Sequence, residues 1–186
     1  MATVLITGGA GFIGSHAANA LLAAGYEVRL LDNLAPQVHG AQRHRPLYLS
    51  KDAELIIGDI TDCLAVERAL RGADMVLHLA SRVGVGQSMY DIASYVGTNE
   101  LGTAILLEAL SKRPVERLVV ASSMSIYGEG LCRSIDGATL APAERPIAQL
   151  KQAQWELRDD QGRLLDPMPT PETKQPSLSS IYALNK

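Results

Sequence analysis

The chain has 186 residues, 47% of them hydrophobic, and its 20 acidic and 17 basic side chains leave a net charge of -3. That is enough for one domain with a substantial core, and too little for a cofactor domain joined to a large second one. Scattered Lys and Arg give no footprint for nucleic acid, no apolar run reaches the roughly 18 residues of a membrane span, and no signal-peptide pattern opens the chain, so a cytoplasmic protein is expected.

Residues 3–7 (Thr-Val-Leu-Ile-Thr) form a short β-branched run suited to a strand buried on both faces. Glycines follow at positions 8, 11 and 14, and Ile13, Ala17, Ala20, Leu21 and Ala24 recur at helical spacing until Gly25. Gly8 permits the tight turn, Gly11 lets backbone approach a pyrophosphate, and Gly14 lets the helix pack against the strand. A second strand, residues 27–31, ends at Asp32, where a carboxylate can accept hydrogen bonds from an adenosine ribose and repel a 2'-phosphate. No Arg or Lys directly follows it in Asp32-Asn33-Leu34, so the cofactor is read as NAD rather than NADP.

Residues 35–52 read as a loop or broken helix, and residues 54–57 as a third strand running into Gly58-Asp59-Ile60. A short helix near residues 64–70 and a fourth strand over 75–80 come next. A helical stretch after Tyr90 is expected to break near Gly97 and resume from 99 to 110. A fifth strand, residues 117–121, then leads to Ser122-Ser123-Met124-Ser125-Ile126-Tyr127-Gly128. Strands alternating with helices at this spacing predict an α/β fold, a doubly wound parallel sheet.

Beyond residue 128 the periodicity dissolves. Residues 129–176 hold most of the later prolines and the sole tryptophan, Trp155, and read as an irregular insertion in which only 147–157 is expected to be helical. Cys63 and Cys132 are too few for a metal cluster, and no metal is expected.

The chain closes on Tyr182-Ala183-Leu184-Asn185-Lys186, taken as the start of a helix that puts Tyr182 and Lys186 on one face. A phenol with a pKa near 10 must lose its proton near pH 7 to act as a base, a shift of ~3 units that needs ~4 kcal/mol of preferential phenolate stabilisation. An ammonium one turn away supplies part of it. A hydroxyl at Ser123, past the C-terminal end of the fifth strand, stands where a substrate's reacting oxygen would be held.

Together the Thr7-Gly8-Gly9-Ala10-Gly11-Phe12-Ile13-Gly14 turn, Asp32-Asn33, Gly58-Asp59-Ile60, His78-Leu79-Ala80, Asn99, Ser123 with Tyr127-Gly128, and Tyr182 with Lys186 resemble the extended short-chain dehydrogenase/reductase family, in its nucleotide-sugar epimerase and dehydratase branch. The resemblance runs almost continuously over residues 1–128 and resumes at 179–186. It implies a Rossmann domain over 1–128, the insertion at 129–176, and the start of the catalytic helix at 177–186. The sugar-binding C-terminal domain is not included, so the chain is expected to be an N-terminal fragment that is inactive alone.

The resemblance implies Gly8, Gly11, Phe12, Ile13 and Gly14 at the pyrophosphate, Asp32 and Asn33 at the adenosine ribose, and Asp59 and Ile60 at the adenine. Leu79 and Ala80 would line the cofactor cleft, and Asn99 would support the site. Ser123, Tyr182 and Lys186 would be catalytic. Ser123 orients the sugar hydroxyl beside Met124 and Ser125, Tyr182 is the acid/base, and Lys186 holds the nicotinamide ribose, so that Tyr182 and Lys186 also touch NAD. His78 is read as core.

In epimerases of this type the tyrosinate takes the proton of the sugar C4 hydroxyl as hydride passes to NAD, and the 4-keto sugar is reduced again on its other face. The dehydratases add an acidic pair after the Ser or Thr. Met124 and Ser125 stand there instead, which favours epimerisation. The segments Gln37-Val38-His39-Gly40 and 123–127 most resemble 4-epimerases of the dTDP-rhamnose type. Val83, where UDP-galactose 4-epimerases resemble one another in carrying Lys, and the long separation of Ser123 from Tyr182 depart from the family pattern. Two other readings are a nucleotide-sugar dehydratase or reductase, and a non-catalytic NAD-binding or sensing protein. A nucleotide sugar is the expected partner, with no nucleic acid and no membrane, and the resemblance implies a homodimer for the full-length protein.

Overall fold

The computed structural model of the chain describes residues 1–41, 43–142 and 144–186. Contacts divide it into two compact units: Met1–Ser122 together with Asn185, and Ser123–Leu184 together with Lys186. The Ser123 turn therefore groups with the second unit, although the first domain was expected to run to residue 128.

In the first unit the elements follow in the order β1 (Thr3–Thr7), α1 (Phe12–Ala23), β2 (Glu27–Asp32), α2 (Pro36–His39), β3 (Glu54–Ile57), α3 (Cys63–Ala69), β4 (Met75–His78), α4 (Val85–Ser88), α5 (Ile92–Tyr95), a π turn (Val96–Leu101), α6 (Gly102–Lys112) and β5 (Arg117–Val120). All five strands pair in parallel in the order β3-β2-β1-β4-β5. Side-chain alternation along β1 splits the core between the two faces of the sheet. Leu5 joins Leu31, Val66, Val76, Leu106 and Leu110 under α3 and α6, while Val4 and Ile6 join Ala18, Val28 and Leu30 beneath α1.

The register decides where the loops meet. Thr7 pairs with Leu31 and with His78, and Asp32 pairs with Ile57. Gly8, Asp32, Gly58-Asp59 and Leu79-Ala80 consequently emerge at one edge, the C-terminal ends of the strands. Chain direction reverses its progress across the sheet at β1, the position at which open α/β sheets form their ligand crevice.

Local chemistry sets the element ends. Gly25, at φ +85°, terminates α1. The Asp62 carboxylate accepts from the Leu64 N–H at 2.9 Å and caps α3. Pro36 begins α2 and Gly40, at φ +78°, ends it after one turn. The helical stretch after Tyr90 does not break at Gly97. Its backbone widens into the π turn Val96–Leu101 and continues into α6, with Asn99 buried in the wide turn.

The second unit starts with a 3-10 turn (Met124–Tyr127), followed by β6 (Leu131–Arg133), β7 (Thr139–Leu140), α7 (Ile147–Lys151), β8 (Asp166–Met168) and α8 (Ile181–Leu184). The segment read as irregular holds an antiparallel sheet in the order β7-β6-β8. Its strands of two and three residues are too short to show alternation, and Pro167 is accommodated because β8 lies at an edge. Arg145 grips Glu129 with two hydrogen bonds, at 2.8 and 3.1 Å, and reaches the Trp155 carbonyl at 2.7 Å.

The helix expected over 147–157 stops at Lys151. Ala153 takes a left-handed φ of +56°, and the Gln149 amide donates to the carbonyls of Gln154 and Glu156. Of the catalytic helix expected to start within 177–186, the single turn α8 is formed, and the Lys186 N–H reaches the Ala183 carbonyl at 3.4 Å. That contact is the i to i+3 tightening common at helix ends.

Candidate active site

Gly8 turns the chain out of β1 at φ +67°, with its N–H donating to the Leu31 carbonyl at 2.8 Å. A Cβ there would lie 2.7 Å from the backbone nitrogen of Ala80. Gly8 is thus fixed both by its conformation and by the close approach of the loop after β4. Gly11 is the N-cap of α1 and supplies no side-chain cap, and a Cβ on it would meet only the Gly8 carbonyl, at 3.3 Å. The first-turn N–H groups of α1 therefore have no side chain across them, the arrangement an anionic pyrophosphate fits. Phe12 and Ile13 in that turn are 81% and 66% exposed, unusual for large apolar side chains at the start of a core helix. Gly9, which the spacing of 8, 11 and 14 passes over, packs its Cα side against Leu30, where a Cβ would come within 2.7 Å.

The Asp32 carboxylate is buried and oriented from two sides. Oδ2 accepts from the Ala10 N–H and Oδ1 from the Leu34 N–H, both at 2.9 Å, and His39 Nε2 stands 3.6 Å from Oδ1. Each oxygen keeps acceptor capacity beyond these bonds, which fits the two hydroxyls of a ribose. Asn33 donates its amide to Asp59 Oδ2 at 2.8 Å, and Asp59 Oδ1 accepts from both the N–H and the hydroxyl of Thr61. Burial pushes the Asp59 carboxyl up, but these hydrogen bonds, helped by the Arg43 guanidinium, outweigh it and hold the group below its ordinary value. Ile60, expected at an adenine, turns its side chain into the core against Gly102.

His78 is buried in β4 and linked at both ring nitrogens, to Thr7 Oγ1 at 2.7 Å and Thr103 Oγ1 at 2.9 Å. Thr7 Oγ1 already accepts from the N–H groups of Leu79 and Ala80, so its proton points to His78 Nδ1. Nε2 then carries the ring proton and donates to Thr103, whose hydroxyl donates to the Asn99 carbonyl. The chain of bonds ties β1, β4 and α6 together and makes His78 part of the frame. Thr7 and Thr103 carry no sequence signal for this role, since their partners lie far along the chain.

The Asn99 side chain holds the loop after β4. Its Oδ1 accepts from the Arg82 N–H at 2.7 Å and from the Ser81 hydroxyl at 3.2 Å, while Nδ2 donates to the Arg82 carbonyl at 3.1 Å. Val83, largely exposed in that loop, accepts the Tyr95 hydroxyl on its carbonyl at 2.9 Å.

In the second unit Ser123 caps the 3-10 turn. Its Oγ accepts from the Ser125 N–H at 3.2 Å and donates to the Ser125 hydroxyl at the same distance, and Met124 points to solvent. Segment 174–177 is fastened to that turn, with the Ser177 N–H on the Ile126 carbonyl at 2.7 Å and the Lys174 ammonium on the Tyr127 carbonyl at 2.8 Å. The Ser180 hydroxyl then accepts from the Ala183 N–H at 3.0 Å and caps α8. Through this path α8 packs against the 3-10 turn, so the elements bearing Tyr182 and Ser123 become neighbours within one unit. Tyr182 is 7% exposed, and burial pushes the Lys186 ammonium below its ordinary value. Cys132 is buried in β6, and among the described residues no three His, Cys, Asp or Glu side chains converge as a metal site would require. No helix among them is long and apolar enough to cross a membrane.

Residues 4–149 match the family model described as the NAD dependent epimerase/dehydratase family. A dTDP-L-rhamnose 4-epimerase from Burkholderia thailandensis is 36% identical over 187 residues, taking in 98% of this chain and 50% of the relative. Among solved structures, a UDP-glucose 4-epimerase of Thermus thermophilus in complex with NAD superposes with a TM-score of 0.67 at 33% identity, over 99% of this chain and 47% of that one. Another UDP-glucose 4-epimerase, from Thermotoga maritima with UDP-glucose, gives a TM-score of 0.71 at 28% identity, over 99% and 47%. The chain spans about half the length of these relatives.

Proposed function

The chain belongs to the NAD-dependent epimerase/dehydratase family, whose cofactor is NAD, and from that premise we propose that it carries the cofactor-binding and proton-transferring residues of a nucleotide-sugar 4-epimerase. The observation that supports the reading is the packing of α8, which bears the buried Tyr182, on the 3-10 turn that Ser123 caps, within one unit although the two lie far apart in sequence.

In this reading the uncapped first turn of α1, with Gly8, Gly11, Phe12, Ile13 and Gly14, receives the pyrophosphate. Asp32 takes the adenosine ribose, with Asn33, Asp59 and the backbone of Ile60 on the adenine side and Leu79, Ala80 and Asn99 forming the wall beyond β4. When bound, NAD supplies the hydride acceptor and donor that oxidation and re-reduction at a sugar carbon require. Tyr182 takes the proton from the C4 hydroxyl oxygen and gives it back, while Ser123 holds that oxygen and Ser125 steadies Ser123. Lys186 favours the phenolate with its charge and binds the nicotinamide ribose. Met124 and Ser125 offer no carboxylate for eliminating water, which supports epimerisation over dehydration. The sugar nucleotides favoured by the similarities are dTDP- or UDP-linked hexoses, and dTDP-L-rhamnose is the first to try.

The test is to incubate the protein with NAD and dTDP-L-rhamnose or UDP-glucose and separate the sugar nucleotides by chromatography. A 4-epimer formed without net NADH supports the proposal, and Tyr182→Phe is expected to lower the rate by about 10²–10⁴-fold. Net production or consumption of NADH would instead identify a dehydrogenase or reductase. No turnover, with NAD bound, would leave this chain, which spans about half the length of its relatives, an NAD-binding unit without turnover of its own.

A further inference from the structure

The one-turn helix α2 serves no purpose in the chemistry described so far, yet it delivers a histidine to the carboxylate assigned to the ribose. Pro36 and Gly40 confine the helix to a single turn, and Gln37 anchors it through a reciprocal amide pair with Gln87, at 2.9 and 3.4 Å. His39, at its last position, has a side chain only 5% exposed, and its Nε2 lies 3.6 Å from Asp32 Oδ1. The Tyr48 hydroxyl lies 3.2 Å from His39 Nδ1 and donates to the Ala10 carbonyl at 2.6 Å. Ala10 in turn donates its N–H to Asp32 Oδ2. Asp32, Ala10, Tyr48 and His39 therefore close a ring of contacts built from three segments of the chain.

Proton counting gives the ring a direction. Tyr48 has one proton, and the Ala10 carbonyl can only accept, so the contact with His39 requires a proton on Nδ1, and an attractive contact of Nε2 with the Asp32 carboxylate requires a second, so the closed ring is one of an imidazolium against a carboxylate. Burial, together with the nearby Asp32 charge, pushes the Tyr48 phenol up, which keeps it the donor that this pattern needs. The two backbone N–H groups hold Asp32 from the glycine turn and from Leu34, and the imidazole bounds its Oδ1 on the remaining, loop side.

From this geometry we infer that His39, held by Tyr48, is a positioning residue that fixes the Asp32 carboxylate for the adenosine ribose and so sets NAD affinity. The inference rests on the NAD reading above. It adds α2 and Tyr48 to the cofactor site, although neither reaches the glycine turn through sequence proximity.

The experiment is calorimetric titration of the protein with NAD and with NAD lacking both hydroxyls of its adenosine ribose, checked for folding by circular dichroism. His39→Ala is expected to weaken NAD about tenfold and to weaken the deoxy analogue far less, because the lost constraint acts through Asp32 on those hydroxyls. His39→Gln, which restores a side-chain N–H, is expected to recover part of the loss. Tyr48→Phe, at a residue that is 58% exposed and so carries little folding risk, should weaken NAD in the same ligand-dependent way. Equal losses for both ligands would make His39 merely structural, and unchanged NAD affinity in His39→Ala and Tyr48→Phe would also overturn the inference. Absence of NAD binding to the folded wild-type protein would refute the NAD reading itself, a result distinct from either.

Discussion

Gly8 and Gly14 show how narrowly single residues are specified at this sheet edge. A Cβ on Gly14 would lie 2.5 Å from the Gly8 carbonyl oxygen and 2.7 Å from the Gly9 Cα, and Gly8 combines its own close contact with a left-handed φ. Gly8→Ala is expected to cost more than the roughly 1–3 kcal/mol of backbone strain alone, because the backbone of Ala80 must also move. Denaturant unfolding reads the change directly. Asp59 allows a prediction with a pH signature. Its folded carboxyl lies below its ordinary value, so its ionised form favours the native state above the unfolded pKa near 3.9, and that stabilisation disappears as pH falls through the lower folded pKa. Asp59→Asn should therefore lower the melting temperature at pH 7, and the gap from wild type should close in acid. At this scale the sequence was readable at the glycines, where backbone conformation and close approach leave no room for a side chain. It was silent on Thr7, Thr103, His39 and Tyr48, whose roles arise from partners that only folding brings near.

At the scale of elements, strands of four or more residues announced themselves, and shorter ones did not. β1 is buried at every position, and its alternation sends Leu5 to one layer and Val4 and Ile6 to the other. β6, β7 and β8 are set by long-range pairing and by ion pairs such as Arg145 with Glu129, for which a window of sequence has no signature. The same limit explains α7, where a left-handed Ala153 ends a helix that apolar spacing would continue. α8 is a single turn, and single turns are marginal unless capped and packed. Its cap is the Ser180 hydroxyl. Ser180→Ala is expected to cost about 0.5–2 kcal/mol locally and to loosen Tyr182. Faster amide hydrogen exchange at Ala183, with the five-stranded sheet unchanged, would report that loss, and unchanged exchange would show that packing alone holds the turn.

For the whole molecule, the parallel sheet of Met1–Ser122 bears most of the residues proposed for the cofactor, and the second unit bears Ser123, Tyr182 and Lys186. A ligand that binds only the folded chain must stabilise it by mass action. NAD at a hundred times its dissociation constant is therefore expected to add about 2.7 kcal/mol and raise the melting temperature, while NADP at the same concentration should give a far smaller shift if, as proposed, the Asp32 carboxylate meets the ribose and so repels a 2'-phosphate. Equal shifts for the two nucleotides would overturn the assignment of Asp32. By itself the sequence determined the parallel α/β sheet, the glycine turn, the acid at the end of β2 and the spacing of Tyr182 and Lys186, because each follows from local periodicity or from a residue type with few physical alternatives. Tertiary structure alone decided the sheet within residues 129–176, the π turn that carries Asn99, the packing of Tyr182's turn on that of Ser123, and the approach of His39 to Asp32. Those features depend on contacts between residues distant along the chain, and their energy is realised only once the backbone has brought the partners together.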